Sequence, residues 1–175
     1  MNQEALLLQG HGRKSRQCQE LLNMTEVSYI EVDEQGLDRI KPLWEKLIEH
    51  IRARSVYFGD WFEARTFSQR KSELLTKSTA GKMHICLALA GGEYVGYCVS
   101  SVCCRAGEID SIFVEESHRA CGIGGEMMKR ALAWMETEKA ERVNIAVSIG
   151  NEEVLPFYQR YGFFPKHILL EPKKM

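Results

Sequence analysis

The sequence has no long apolar run, and this absence excludes one class of protein. A helix that crosses a bilayer needs roughly 20 consecutive apolar residues, and no stretch approaches that length. The apolar segment at residues 5–8 is too short for a signal peptide and lacks its basic flank. We therefore expect a cytoplasmic protein without a membrane segment.

The sequence also lacks an excess of charge and any regular cysteine spacing. Its formal net charge is −1, which argues against nucleic acid as an electrostatic partner. The six cysteines include no C-x-x-C pair, so we expect no metal site. Several of them lie in apolar segments, where cysteine behaves as a small hydrophobic residue, and this pattern suits a reducing cytosol.

The hydrophobic pattern predicts one α/β domain over residues 25–175, preceded by a polar N-terminal extension over residues 1–24. Apolar residues recur at helical spacing in some segments and form short runs typical of strands in others. The predicted order is β-α-α-β-β-β-α-β-α-β. Strands are expected at 27–32, 85–90, 94–102, 108–114, 143–147 and near 167–170, and helices at 37–51, 61–75, 124–139 and after 151.

A glycine-rich segment joins the predicted strand ending at Val114 to the helix that follows it. Gly122, Gly124 and Gly125 lie where the helix begins. The first turn of a helix has unpaired backbone N–H groups at the positive end of the helix dipole, so it can bind a phosphate group. Glycine permits close approach of a ligand and tolerates positive φ. The segment therefore predicts a phosphate or pyrophosphate site.

The spacing excludes two common phosphate loops. No Lys follows Gly124 or Gly125, as a Walker loop requires, and Met127 stands where a dinucleotide fingerprint needs glycine. What remains is Arg119-x-x-Gly122-x-Gly124 after a strand. This arrangement resembles the acyl-CoA pyrophosphate loop of the GNAT superfamily of N-acetyltransferases.

A second segment, residues 151–163, resembles the later motif of the same family. In that motif an Asn opens a helix, an aromatic residue and a Tyr lie in its second turn, and Gly-Phe follows. Asn151 is expected to cap the helix, and Gly162 suits the position just after its end. Pro156 departs from the pattern and is expected to kink or shorten the helix.

The resemblance implies the GNAT fold, a mixed and twisted sheet of about six to seven strands flanked by about four helices. The strands ending at Val114 and near Val147 would run parallel and splay apart, and the pantetheine arm of acetyl-CoA would lie in the gap. The resemblance also implies N-acetyl transfer to a primary amine. The implied cofactor-binding residues are Ile112, Phe113, Val114, Arg119, Ala120, Cys121, Gly122, Ile123, Gly124, Gly125, Asn151 and Tyr158.

The resemblance further implies catalytic roles. An amine attacks a thioester only when it is neutral, so a carboxylate base is expected, and an acid assists the leaving thiolate. Tyr158 occupies the family's acid position, although a Tyr there can also simply pack. Glu108 and Asp110 project to one face of a strand and are both candidate bases. We favour Asp110 because it lies nearer to Val114; the alternative is that both acids form a solvated strand edge.

The acceptor is the least determined part of the prediction. In this family the first two helices form much of the acceptor site, so Tyr57, Phe58 and Trp61 are candidate substrate residues; they could equally dock a helix on the sheet. A small-molecule amine and a peptide acceptor both stay open, as does a homodimeric assembly. One alternative function is acetylation of a partner's N-terminus or Lys, and another is an acyl-CoA-binding module without turnover.

Overall fold

The computed structural model describes residues 26–172 of the chain. The predicted N-terminal extension, residues 1–24, lies outside the described residues. Within them, no helix has the length and apolar character needed to cross a membrane.

The core of the structure is a five-stranded sheet with the strand order β1-β2-β3-β4-β5. The first four strands are antiparallel to their neighbours, and the fifth runs parallel to β4. The strands are β1 Val27–Val32, β2 Lys82–Ala90, β3 Glu93–Cys103, β4 Ala106–Val114 and β5 Arg142–Ile145.

Within residues 26–172 the sheet has five strands, fewer than the six to seven predicted, because the segment near 167–170 forms no strand. Ile168, Leu169 and Leu170 are consecutive and all strongly exposed. Successive residues of a strand point to opposite faces, so an unbroken apolar run forms a buried strand only where both faces are covered, and these three side chains are not covered. These side chains therefore gave an apolar signal without forming a strand.

Five α-helices flank the sheet within the described residues. The predicted helix at 37–51 is divided into a 3₁₀ turn, Glu34–Ile40, and an α-helix with Pro42 in its first turn. The prediction of one helix at 61–75 is wrong, because a capping box between Thr66 and Gln69 starts a new helix. The helices are α1 Lys41–Arg52, α2 Gly59–Glu63, α3 Phe67–Ala80, α4 Ile123–Thr137 and α5 Leu155–Gln159.

Both faces of the sheet are covered. On one face, α4 buries Met127, Met128 and Met135 against β2 and β3. On the other face, Trp44 of α1 and Leu74 of α3 belong to a second buried cluster. The end of β4 thus lies between helices on both sides, which positions the candidate site.

Candidate active site

The parallel pair β4 and β5 separates part of the way along β4. Their register runs from Ala106↔Arg142 to Ile109↔Ile145, whereas β4 continues to Val114. Beyond Ile109, β4 is paired only with β3 among the described residues. The pairing therefore ends on the side where the resemblance implied a splay, and no strand among residues 26–172 pairs with that edge of β4 beyond Ile109.

The glycine-rich loop leads from this open edge into α4. Ala120 and Gly122 both have left-handed backbone conformations, with φ of 63° and 80°. Gly122 is the N-cap residue of α4, and no side chain caps the helix there. A Cβ built on Gly122 would meet nothing within 4 Å. The first turn of α4 is thus uncapped and faces open space, as an anion site requires.

Gly122 and Gly125 require glycine for different reasons, and Gly124 has space for a Cβ. At Gly122 the reason is positive φ in an open loop. At Gly124 a Cβ would lie 3.6 Å from the Phe157 ring, in ordinary contact, whereas at Gly125 it would lie 2.9 Å from the Tyr161 hydroxyl. That hydroxyl is also 3.3 Å from the Gly125 carbonyl oxygen, to which it donates. Gly125 therefore allows the packing of Tyr161 against α4.

Charged side chains flank the loop on both sides. The Arg119 Nε atom donates to the Val114 carbonyl at 3.0 Å, and its guanidinium lies 5.5 Å from the centre of the Phe113 ring. These contacts anchor Arg119 beside the loop. Lys46 of α1 forms an ion pair with Glu115, which offsets one negative charge near the expected pyrophosphate position.

The other predicted cofactor residues lie along β4 and the start of α4. Phe113 is buried on the side of α1 and α3, whereas Ile112 and Val114 pack on the side of α4. Ile123 is buried as the first residue of α4, so only its backbone faces the loop. Cys121 lies in the loop, next to Gly122 and partly buried.

The prediction that Asn151 caps a helix through its side chain is wrong. Asn151 precedes a 3₁₀ turn, Glu152–Val154, and makes no side-chain capping bond. Its φ and ψ of −116° and 25° are not the extended values of a typical N-cap, and the Glu152 carboxylate instead accepts from the Gly150 N–H. The Asn151 Oδ1 atom is buried without a hydrogen-bond partner in the protein.

The helix predicted after Asn151 is short. It begins at Leu155, and Pro156 lies in its first turn, where proline is tolerated. Gly162 has φ of 82°, and the Phe163 N–H donates to the Tyr158 carbonyl across the end of the helix. The shortening by Pro156 and the terminating role of Gly162 are both confirmed.

Asp110 lies at a β-bulge in β4. Val99 pairs with Ser111 and Ser100 pairs with Ile109, so Asp110 is the extra residue of the bulged strand. Its side chain is fully buried, and its Oδ2 atom has no hydrogen-bond partner in the protein. A bulge reorients a side chain relative to regular alternation. The bulge thus places a carboxylate where β4 begins to lose its parallel neighbour.

Lys77 of α3 lies between the two candidate bases. Its Nζ atom is 2.5 Å from Asp110 Oδ1 and 2.8 Å from Glu108 Oε2. Burial lowers the pKa of Lys77, but hydrogen bonds to Asp110 and Glu108 outweigh this and raise it above its ordinary value. Glu108 and Asp110 therefore do share a face, and a lysine ammonium bridges them.

Arg70 of α3 contacts the same place through the backbone. Its guanidinium donates to the Asp110 carbonyl at 2.8 Å and forms an ion pair with Glu73 at 3.3 Å. The sequence analysis did not identify Lys77 or Arg70. They are 33 and 40 residues from Asp110 in the chain, and only the packing of α3 on that face of the sheet brings them there.

Tyr158 is buried on the α4 side of the sheet. Burial raises the pKa of Tyr158 to about 12, with a smaller contribution from Cys98. Burial also raises the pKa of the Cys98 thiol, with further contributions from Cys86 and Asp110. Cys98 of β3 is thus close enough to interact electrostatically with both Tyr158 and Asp110.

The aromatic residues predicted for the acceptor lie around α2. Tyr57 is 63% exposed, Trp61 is 50% exposed and Phe58 is partly buried. The Arg65 guanidinium lies 4.6 Å from the centre of the Trp61 ring. Tyr57 and Trp61 therefore face solvent, and neither docks α2 into the core.

Comparison with known proteins identifies the family. A sequence model of the acetyltransferase (GNAT) family matches residues 44–163. No curated protein sequence matches the chain.

Solved structures share the fold at low sequence identity. A putative acetyl transferase from Pyrococcus furiosus is 22% identical with a TM-score of 0.62, covering 83% of this chain and 99% of its own. The aminoglycoside N-acetyltransferase AAC(6')-Iy in complex with CoA is 14% identical with a TM-score of 0.62, covering 86% and 95%. The ribosomal-protein-alanine N-acetyltransferase from Brucella melitensis biovar Abortus 2308 is 15% identical with a TM-score of 0.59, covering 83% and 99%. The chain therefore belongs to the GNAT family of acetyltransferases.

Proposed function

We propose that this protein transfers an acetyl group from acetyl-CoA to a primary amine by direct attack of the amine. One observation carries the proposal: the backbone edge of β4 opens beyond Ile109 and leads directly to the uncapped N-terminus of α4. The open edge suits an amide-containing arm, and the helix N-terminus suits a pyrophosphate.

The residues present fit the cofactor. The pyrophosphate would lie against the backbone N–H groups from Arg119 to Gly124. There is open space beside Gly122, since a Cβ built on this residue would meet nothing within 4 Å. The pantetheine arm would pair with β4 between Asp110 and Val114. The Oδ1 atom of Asn151 is buried without a partner in the protein, and we propose it as a further acceptor for the cofactor. When bound, acetyl-CoA supplies the activated acetyl group as a thioester.

The base in this proposal is Asp110. Its Oδ1 atom is held by Lys77, whereas its Oδ2 atom has no partner and can accept a proton from the amine, directly or through one water. The Lys77 ammonium holds the Asp110 carboxylate in place through its contact with Oδ1. Glu108, whose side chain is 36% exposed, neutralises the rest of the ammonium charge and faces the solvent.

The acid in this proposal is Tyr158. Because burial raises its pKa to about 12, its hydroxyl stays protonated throughout the neutral range. It can therefore donate a proton to the leaving thiolate, whose own proton affinity rises as the thioester bond breaks. Tyr158 is held near the glycine-rich loop because the ring of its neighbour Phe157 packs against Gly124.

Exposure of the α2 aromatics bears on the acceptor class. A closed aromatic pocket would favour a small amine, whereas Tyr57 and Trp61 are open to solvent. This observation favours the second candidate function, acetylation of an N-terminus or Lys of a peptide or protein. Exposed aromatic residues can supply contact area to an extended chain.

We place the reaction in the cytoplasm, supported by the cysteine pattern of the sequence.

Cofactor binding is tested by a matched pair of glycine variants. Gly122 and Gly92 both have positive φ, 80° and 85°, and a Cβ at either would meet nothing within 4 Å. Alanine at either position therefore imposes similar backbone strain, on the order of 1–2 kcal/mol. Only Gly122→Ala, in the loop, should reduce the thermal stabilisation by CoA; Gly92→Ala, in the β2–β3 turn, should retain it. Equal CoA stabilisation of both variants and the wild type would contradict the proposed loop.

Turnover is tested by measuring CoA release from acetyl-CoA across a panel of small amines and peptides. Amine-dependent release supports the enzyme, and the preferred member of the panel identifies the acceptor class. CoA binding without release for any amine or peptide would favour the binding module without turnover.

A further inference from the structure

Two adjacent cysteines form a close pair at the turn between β3 and β4. The Sγ atoms of Cys103 and Cys104 are 3.3 Å apart, and both residues are free thiols. Cys104 is exposed and Cys103 is partly buried. The proposed acetyl transfer uses neither residue, because the turn joins the start of β4, at the opposite end from Val114.

The conformation of this turn is unusual for its sequence. Cys103 pairs with Ala106, so the two residues of the turn are Cys104 and Arg105. Both have positive φ, 51° and 64°, as in a type I′ turn. Such turns favour Asn-Gly or Asp-Gly, since other residues are strained there. Turn propensity therefore does not account for a cysteine at position 104.

Contacts on both sides hold the turn in place. The Cys103 thiol lies 3.2 Å from the Ala80 carbonyl at the end of α3. On the other side, the Arg105 guanidinium forms an ion pair with Glu141 at 2.7 Å, and the Arg105 carbonyl accepts from the Glu141 N–H at 2.8 Å. The two thiols are thus held together before any ligand arrives, which reduces the entropy lost on chelation.

The geometry and the neighbours restrict the ligand class. At about 2.3 Å from each sulfur, the length of a zinc–thiolate bond, a 3.3 Å sulfur separation corresponds to an angle of about 90° at the bound centre. That angle is smaller than the tetrahedral angle of structural zinc. Zinc also needs four ligands, and no group of three or more His, Cys, Asp or Glu suited to a metal occurs within residues 26–172.

We propose that Cys103 and Cys104 form a dithiol site for trivalent arsenic compounds with one organic substituent. Such a compound needs only two sulfur ligands, because it brings its third substituent with it. With an arsonous acid, R–As(OH)₂, two As–S bonds form and two As–O bonds break. Each thiol proton leaves with a hydroxide as water, and arsenic stays trivalent. Thiolates are soft ligands, which suits a soft centre.

The site is tested with phenylarsine oxide and intact-mass measurement of the full chain. The wild type should gain one phenylarsenic group at this turn, and peptide mapping should place it on the Cys103–Cys104 peptide. A small monothiol should not remove it, because two bonds must break together, whereas a small dithiol should. The proposal would be overturned if the monothiol removed the adduct at the same concentration at which the dithiol removes it.

Two variants provide the controls. Cys104→Asn puts a residue that favours positive φ in the turn, so the fold should be retained or stabilised while the adduct at this turn is lost. Cys103→Ser keeps a similar side-chain size and should also lose it. Since other cysteines remain in both variants, the mapped peptide is the deciding readout. An adduct on the peptide of residues 103–104 in either variant, or none there in the wild type, would overturn the assignment.

Discussion

The ammonium of Lys77 and the carboxylate of Asp110 form a short ion pair, with Nζ 2.5 Å from Oδ1, at the bulge where β4 begins to separate from β5. The Asp110 side chain is fully buried and that of Lys77 is 36% exposed. A candidate base is therefore in contact with a cation from another element, and variants of Lys77 test what this contact does.

Lys77→Met should lower kcat/KM, because the Asp110 carboxylate loses the ammonium that holds its Oδ1 atom. Lys77→Arg keeps a cation at this place and should restore much of the wild-type value. Steady-state kcat/KM of the two variants and the wild type at one fixed pH checks this. An unchanged kcat/KM in Lys77→Met would show that Lys77 does not act on the base.

Asp110→Asn and Glu108→Gln separate the two carboxylates with isosteric changes. Asp110→Asn should lower kcat/KM by roughly 10²–10⁴-fold near neutral pH, with partial recovery at high pH where the free amine is abundant. Glu108→Gln should mainly raise KM, because its exposed carboxylate attracts the cationic form of the acceptor. If Glu108→Gln instead controls the pH profile, the base assignment is reversed, although the acetyltransferase reading stands.

Tyr158→Phe should lower kcat by roughly 10²–10⁴-fold with little change in CoA binding, because it removes only a proton donor. Since burial raises the pKa of Tyr158 to about 12, no alkaline loss of activity below about pH 10 should arise from this residue. Paired measurements of kcat and of the CoA-induced thermal shift check this. Unchanged kcat would mean that the thiolate leaves without help from Tyr158.

The surroundings of His84, away from the active site, lead us to predict that the stability of the fold depends on pH. Its side chain is buried and stacks on the Trp134 ring. Its Nε2 atom lies 3.4 Å from Glu31 Oε2, and the charge of Arg130 also acts on it. Burial is the main cause that lowers the pKa of His84; Glu31 opposes it and Arg130 adds to it. An unfolded chain, with a His pKa near 6.5, therefore binds a proton that the native state resists.

Stability should fall as pH decreases through about 6.5, by at most about 1.4 kcal/mol per pH unit from this residue. Urea unfolding at pH 7.5, 6.5 and 5.5 should show a smaller decline in His84→Gln than in the wild type. The comparison isolates His84, since other titrating groups are shared by both proteins. An identical pH dependence in the wild type and in His84→Gln would show that His84 binds its proton equally well in the folded and the unfolded chain.

Some features could be predicted from the sequence because they depend on local chemistry. Gly122 and Gly162 indicated positive φ, and the structure confirms both. The strands expected at 85–90 and 94–102 correspond to β2 and β3, which are joined by a turn at Gly91 and Gly92, both with positive φ. Such positions restrict the backbone by themselves, so a single sequence reveals them.

Other features could not be predicted, because they depend on packing between distant segments. The bulge at Asp110 depends on how β3 pairs with β4, and Lys77 reaches it only when α3 docks on that face. Leu169 gave an apolar signal with no partner to bury it. The roles of the candidate site residues remain predictions that the variants above test.

The central claim, acetyl transfer from acetyl-CoA to an amine, is tested most directly by following a labelled acetyl group into the product. The wild type, given labelled acetyl-CoA and the best acceptor from the amine and peptide panel, should yield labelled amide together with an equal amount of CoA. Tyr158→Phe should form both products far more slowly while still binding CoA. CoA release without labelled amide, or no transfer to any acceptor despite CoA binding, would contradict the account.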